Sequence, residues 1–328
     1  MNLTNFNQSD RCELFSCPER TVSSAVYILL YVCSSAVVLL IVCGNMLVII
    51  SVFHFKQLHT PTNTLVLSLA VSDFLVGIFV MPILLIWIIE SCWIFGKVFC
   101  SIYWLISSLL SVSTYTVAQI AVDRYLALSN PFLYMKIFSV KITRVIIVFN
   151  WCVVVTYNIA LLYCNGNFTS FAMCPGECIL PLNEVWTVID LICSFIFPCS
   201  VIMILYTRVF VIAKKHATAI RELNNHTRLK TQKMTLHSMK SERKAAKVLG
   251  ILVSVFLLCL LPYFITSLLF YVIELQVETF RKVLITLYLN SIINPFIYAL
   301  FYPWFRKCIK LIIMLKILQT DSALINVL

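Results

Sequence analysis

Charge is scarce in this chain: Asp, Glu, Lys and Arg make up only 12% of its 328 residues, against about 25% in an ordinary soluble domain. Stretches such as Tyr27 to Ser51 carry none at all, which is about what a helix needs to cross a ~30 Å hydrocarbon core. The first twenty residues, MNLTNFNQSDRCELFSCPER, lack the basic start and apolar middle of a cleavable signal peptide, so the first span is expected to act as an uncleaved signal-anchor. No internal repeat, paired broken helices or ring of charge marks a transporter or channel. No nucleophile–base or metal-ligand set falls on the spans either, which speaks against an enzyme.

What is present is hydrophobicity, 61% of residues with a mean hydropathy of +0.96, far above soluble usage. Hydropathy predicts an all-α membrane protein with seven spans, near Ala25–Phe53, Thr62–Ile89, Phe99–Leu128, Ile142–Tyr163, Val185–Ala213, Ala246–Tyr271 and Phe280–Tyr302. FYPWFRKCIKLIIMLKIL follows, with Trp304, Phe305, Ile309 and Ile312 on one face and Arg306, Lys307 and Lys310 on another. That reads as an amphipathic helix lying on the membrane surface, the alternative being a frayed tail; Cys308 in it is a candidate for palmitoylation. The chain thus divides into an extracellular segment 1–24, a seven-span domain 25–302, and an amphipathic helix with cytoplasmic tail 303–328.

The net charge of +11 could suggest a nucleic-acid partner, but the basic residues fall in blocks between spans, so topology explains them better. Lys136, Lys141, Arg144, Lys214, Lys215 and Arg306 lie on one side with many others, which makes that side cytoplasmic and the amino terminus extracellular. The sequons at Asn2, Asn7 and Asn167 fall on the outer side, where glycosylation is expected. Of the 14 cysteines, many lie in apolar runs as small hydrophobes. Cys12, Cys17, Cys92, Cys100, Cys164, Cys174 and Cys178 are placed in or near outer segments, where oxidation is permitted.

Charged groups inside spans are costly, so each marks a functional hypothesis. Asp73 sits mid-span, with Asn45, Ser113, Asn290, Ser291 and Asn294 at comparable depths. This oxygen-rich cluster suits either a hard cation such as sodium or a purely structural hydrogen-bond network. Asp123-Arg124-Tyr125 ends the third span, and Glu242, before the sixth, is a natural partner for the guanidinium. Pro82, Pro198, Pro262 and Pro295 fall inside spans and either hinge the helices or simply shape the bundle.

These landmarks resemble rhodopsin-like receptors: Gly44-Asn45, LSLAVSD, Cys100, Asp123-Arg124-Tyr125, Trp151, Pro198 with Tyr206, Phe256 with Cys259 and Pro262, and Asn294-Pro295 with Tyr298. The resemblance implies a heterotrimeric G protein as partner at the inner cavity. It also implies a bridge from Cys100 to Cys178, and an Arg124 held by Asp123 or Glu242 at rest and by the G protein or Tyr206 when active. HFKQLHTPTN, CWIFG, SERKAAKVLGI and FYPWFRK look more narrowly like a trace amine-associated receptor, with IAVDRYLALSNP closer to the fish branch. That family includes olfactory receptors for volatile amines, expected to act through the stimulatory G protein and cyclic AMP. By the same resemblance Cys174 pairs with Cys12 or Cys17.

Two landmarks depart from that pattern. The usual third-span aspartate is Ser107, or Ile106 counted back from Arg124, because the chain is one residue shorter between the landmarks; the usual sixth-span tryptophan is Leu260. Asp190, eight residues before Pro198, offers a substitute acid. A subset of fish trace amine-associated receptors resembles this arrangement, which implies an alkylammonium paired with Asp190. Tyr263, Phe264 and Tyr288, with Trp186 and Trp104, offer aromatic faces for it. The competing readings are a structural acid bonded to Tyr or Ser neighbours, and a receptor of the same fold for a non-amine ligand.

Overall fold

In the computed structural model of the chain, the described residues are 17, 23–164, 176, 178, 184–226, 250–251, 253–267, 269, 277–319 and 322–327. Six helices are long and apolar enough to cross a membrane. They are α1 (Ser24–His54), α2 (Pro61–Glu90), α3 (Gly96–Ser129), α4 (Val140–Cys164), α5 (spanning portion Val185–Ile212) and α7 (spanning portion Lys282–Leu300). The apolar helix Val253–Ser267 is α6, and Pro303–Ile313 forms α8. Together they make the seven-helix bundle with an accessory helix that hydropathy predicts. Among the described residues the only β pairing is an isolated bridge between Trp93 and Gly176.

Local chemistry sets the boundaries. Thr60 caps α2 by accepting from Asn63 N, with Pro61 at the first helical position, where its missing N–H costs nothing. Inside α2 and α5 the helix widens into π segments, Val76–Val80 just before Pro82 and Leu191–Ile196 just before Pro198. Proline clashes with the carbonyl four residues back, and a widened turn relieves that clash. The predicted kinks therefore take the form of π segments at these two prolines.

The structure also departs from the hydropathy reading. A short helix, Pro131–Ile137, follows α3, its first turn capped by Asn130 Oδ1 accepting from Leu133 N at 3.1 Å; seven residues are too few to register in a span search. The fifth helix runs on to His226, past the predicted end at Ala213, because the polar residues that end a span need not end a helix. α3 is interrupted at Ser108, where Ser108 N bonds Leu105 O and Ser111 N bonds Ser108 O. These tighter three-residue closures fall between the two landmarks that the sequence holds one residue too close.

Outward faces carry large apolar side chains such as Phe53, Val145 and Phe210, as a lipid-facing surface requires. Inside, Trp87, Tyr103, Phe256, Tyr288 and Tyr298 are fully buried. α1 and α7 meet so closely that a Cβ on Gly44 would lie 3.0 Å from Pro295 Cβ, so this family landmark is a packing requirement. α8 turns Trp304, Phe305 and Cys308 inward. Cys308 is 0% exposed, and burial pushes its thiol up to about 11. In this arrangement the thiol packs into the core cluster with Trp304 and Phe305.

Candidate functional site

Asp190 stands at the end of the first α-helical stretch of α5, immediately before the π segment. Ser194 Oγ, one turn on, donates to its Oδ1 at 2.7 Å, and Tyr157 Oη of α4 donates to the same oxygen at 3.2 Å. Oδ2 makes no hydrogen bond among the described residues. The π segment leaves carbonyls without their usual partners, and Tyr115 Oη of α3 donates to Cys193 O at 2.7 Å. The acid is therefore held through one oxygen, on a turn that α3 and α4 both brace.

Beside it lies a cavity of about 140 Å³, close to the ~150 Å³ engineered void that accommodates benzene. Six of the residues proposed from sequence line it: Asp190, Trp104, Ser107, Tyr263, Phe264 and Tyr288. Phe264 stacks on Phe195 with centroids 4.1 Å apart and meets Tyr263 edge-on at 5.1 Å. Leu260, in place of the usual tryptophan, also lines the cavity. Trp186 is not among the lining residues; it sits four positions before Asp190, about 6 Å along the helix. Asn158 lines the cavity too; sequence reading missed it although Thr156-Tyr157-Asn158 is the longest polar run in the second half of the fourth span.

Deeper in the bundle, Asp73 is 0% exposed. Its Oδ1 accepts from Ser291 at 2.9 Å and Ser113 at 3.2 Å, and its Oδ2 accepts from Asn294 at 2.8 Å. Ser72 bonds Ser113, and Asn45 donates to Ser291 O. Asn45 Oδ1 and Asn290 Oδ1 are buried without partners among the described residues. Asp73 is thus ringed by neutral hydroxyl and amide groups of α3 and α7.

At the far end of α3 from Cys100, Arg124 Nε and Nη2 donate to Asp123 Oδ2 at 2.9 and 2.6 Å. Thr62 Oγ1 donates to the same oxygen at 2.8 Å and itself accepts from Arg124. Tyr134 Oη, on the short helix, donates to Asp123 Oδ1 at 2.8 Å. Burial and the facing Asp123 carboxylate hold the Tyr134 hydroxyl above the usual tyrosine range. The sequence suggested Asp123 for Arg124 but neither Thr62 nor Tyr134. Tyr125 is half-buried, and the Tyr206 and Tyr298 hydroxyls are buried without partners among the described residues.

Cys100 is bonded to Cys178 near the start of α3. Cys17 is bonded to Cys92, ahead of α3, and not to Cys174. That corrects one of the two proposed pairings. Cys12, Cys174, Glu242, Asn2, Asn7 and Asn167 lie outside the described residues.

A seven-helix bundle with a ligand-sized cavity near one end and an arginine lock at the other is the architecture of a membrane receptor. Residues 44–298 match the 7 transmembrane receptor (rhodopsin family). The chain belongs to that family: it is a G-protein-coupled receptor of the plasma membrane with several spans, and not an enzyme. Its relatives place it more narrowly. "Trace amine-associated receptor 13c" of Danio rerio is 38% identical over 95% of this chain and 93% of its own length. "Trace amine-associated receptor 7c" of Rattus norvegicus is 38% identical over 95% and 89%, and "Trace amine-associated receptor 7a" of Mus musculus 39% over 95% and 89%. Within the rhodopsin family the chain is thus related to trace amine receptors.

Proposed function

We propose that this receptor senses a small protonated amine whose ammonium pairs with Asp190, and that it signals through a stimulatory G protein with a rise in cyclic AMP. The observation that carries the reading is Asp190 itself: the one carboxylate among the described residues lining the cavity, with one oxygen unbonded among them and aromatic side chains nearby. An ammonium there gains a poorly screened charge pair and cation–π contact with Tyr263 or Tyr288. In this reading the disulfide end faces outside, as in an olfactory receptor, and the Arg124 end receives the G protein. Sodium at Asp73, held by Ser113 and Ser291 with the spare oxygens of Asn45 and Asn290, acts as an allosteric ion.

The rival is a ligand without a charge. The bonds from Tyr157 and Ser194 favour it, since they supply the neighbours a structural acid would need. The discriminating experiment measures cyclic AMP in cells expressing the wild type, Asp190→Asn or Asp190→Glu, against protonated amines and their neutral isosteres. The amine reading requires that neutral isosteres fail on wild type and that Asp190→Glu keeps more potency than Asp190→Asn. Full amine potency in Asp190→Asn at normal surface expression would move the non-amine reading ahead.

A further inference from the structure

The α3 side of the cavity holds poorly bonded polar atoms. Trp104 Nε1 and Ser107 Oγ belong to residues that line the cavity, and both are buried without a hydrogen bond among the described residues. Ser107 is only 7% exposed. Tyr103 Oη, four residues before Ser107, likewise makes no well-formed hydrogen bond among the described residues; the hydroxyls of Tyr103, Ser107 and Tyr288 of α7 are near enough to bond one another, which leaves the Trp104 N–H as the donor with no partner among them. Residues three and four apart share a helix face, so Tyr103, Trp104 and Ser107 form one local group. Buried polar groups are nearly always paired, and a cluster of exceptions calls for a cause.

The types of these atoms restrict what can pair with them. An indole N–H only donates, and a hydroxyl donates or accepts. Asp190 is the one acid among the described lining residues, and it lies on a different helix. A group arriving at the α3 side therefore finds donors and no counter-charge, which suits a lone pair and opposes a second cation. We propose that the ligand carries two recognition points, an ammonium at Asp190 and an uncharged hydrogen-bond-accepting oxygen that Trp104 and Ser107 engage. The oxygen is a hydroxyl, phenol, ether or carbonyl. This rests on the amine reading of Asp190. A terminal diamine would set its second ammonium against the Trp104 N–H, donor facing donor.

The test uses hexylamine, aminohexanol, the corresponding methoxy amine and diaminohexane, with shorter homologues, read as G-protein activation in cells. On wild type, an oxygen-bearing amine should be about tenfold or more potent than the matched alkylamine, and the diamine should be the weakest. The oxygen-to-alkyl potency ratio should collapse toward unity in Trp104→Phe and in Ser107→Ala, whatever the absolute potency of each variant. Because the ratio is internal to each variant, differences in folding or expression do not move it. No oxygen advantage at any chain length, a diamine that outperforms the rest, or a ratio that survives both substitutions would each overturn the proposal. If Asp190→Asn silences every amine while oxygen adds nothing, only the second recognition point falls. If Asp190→Asn leaves alkylamine potency intact, the amine reading falls and this proposal with it.

Discussion

Asp73 and Asp190 are both acids inside a membrane bundle, yet the fold treats them differently. Asp73 has both oxygens engaged by side chains of α3 and α7, at 2.8 to 3.2 Å. Asp190 has one oxygen engaged, by α4 and its own helix, and the other left open beside a cavity. A carboxylate bonded at both oxygens ties its neighbouring helices together, whereas one bonded at a single oxygen keeps the other free toward the cavity. Desolvation makes each arrangement consequential.

The sharpest way to break this contrast is to make the same substitution at both acids. Asp190→Asn should lower amine potency by roughly two to three orders of magnitude, because losing one partner of a buried charge pair costs about 3–5 kcal/mol. Cyclic AMP dose–response curves at matched surface expression measure it, and equal loss in Asp73→Asn would erase the contrast.

Asp73→Asn should act instead on the ion. Replacing sodium by a large organic cation should raise wild-type amine potency by about five- to tenfold, since an ion joining α2, α3 and α7 favours the resting arrangement. In Asp73→Asn the shift should vanish, and its persistence would place the ion elsewhere. Asp123→Asn removes the negative charge facing Arg124 and one of the two carboxylate oxygens that Arg124, Thr62 and Tyr134 bond, and basal cyclic AMP should rise about two- to fivefold. Unchanged basal signal would show that this lock does not restrain the receptor. Smallest of all, Tyr157→Phe should cost about threefold in amine potency, the worth of one hydrogen bond that positions the carboxylate.

The spans and buried acids were legible because a bilayer imposes long apolar runs and makes every interrupting charge conspicuous. Ser107, Tyr263, Phe264 and Tyr288 were legible through family landmarks counted along helices. Trp186 does not appear in the cavity lining, since helical spacing gives the face a residue occupies but not how far the cavity reaches. The Cys17–Cys92 pairing was illegible, since cysteine positions do not encode connectivity. Tyr134 and Thr62 escaped because each lies near a helix start outside the span centres, where a polar residue attracts no attention. The break at Ser108 did leave a trace, the one-residue mismatch between Cys100 and Arg124, but only coordinates show where the chain absorbs it.

The π segment Leu191–Ile196 separates two reading frames on one helix. A π turn holds one residue more than an α turn, so it offsets everything before it by roughly 100° around the axis. Deleting a single residue there would restore an unbroken α register and swing Asp190 more than a quarter turn from the cavity, leaving Pro198, Tyr206 and the surface beside Arg124 where they are. Small insertions and deletions in this stretch could therefore re-aim the ligand-facing half of α5 between one gene copy and the next, while the transducing half is inherited intact.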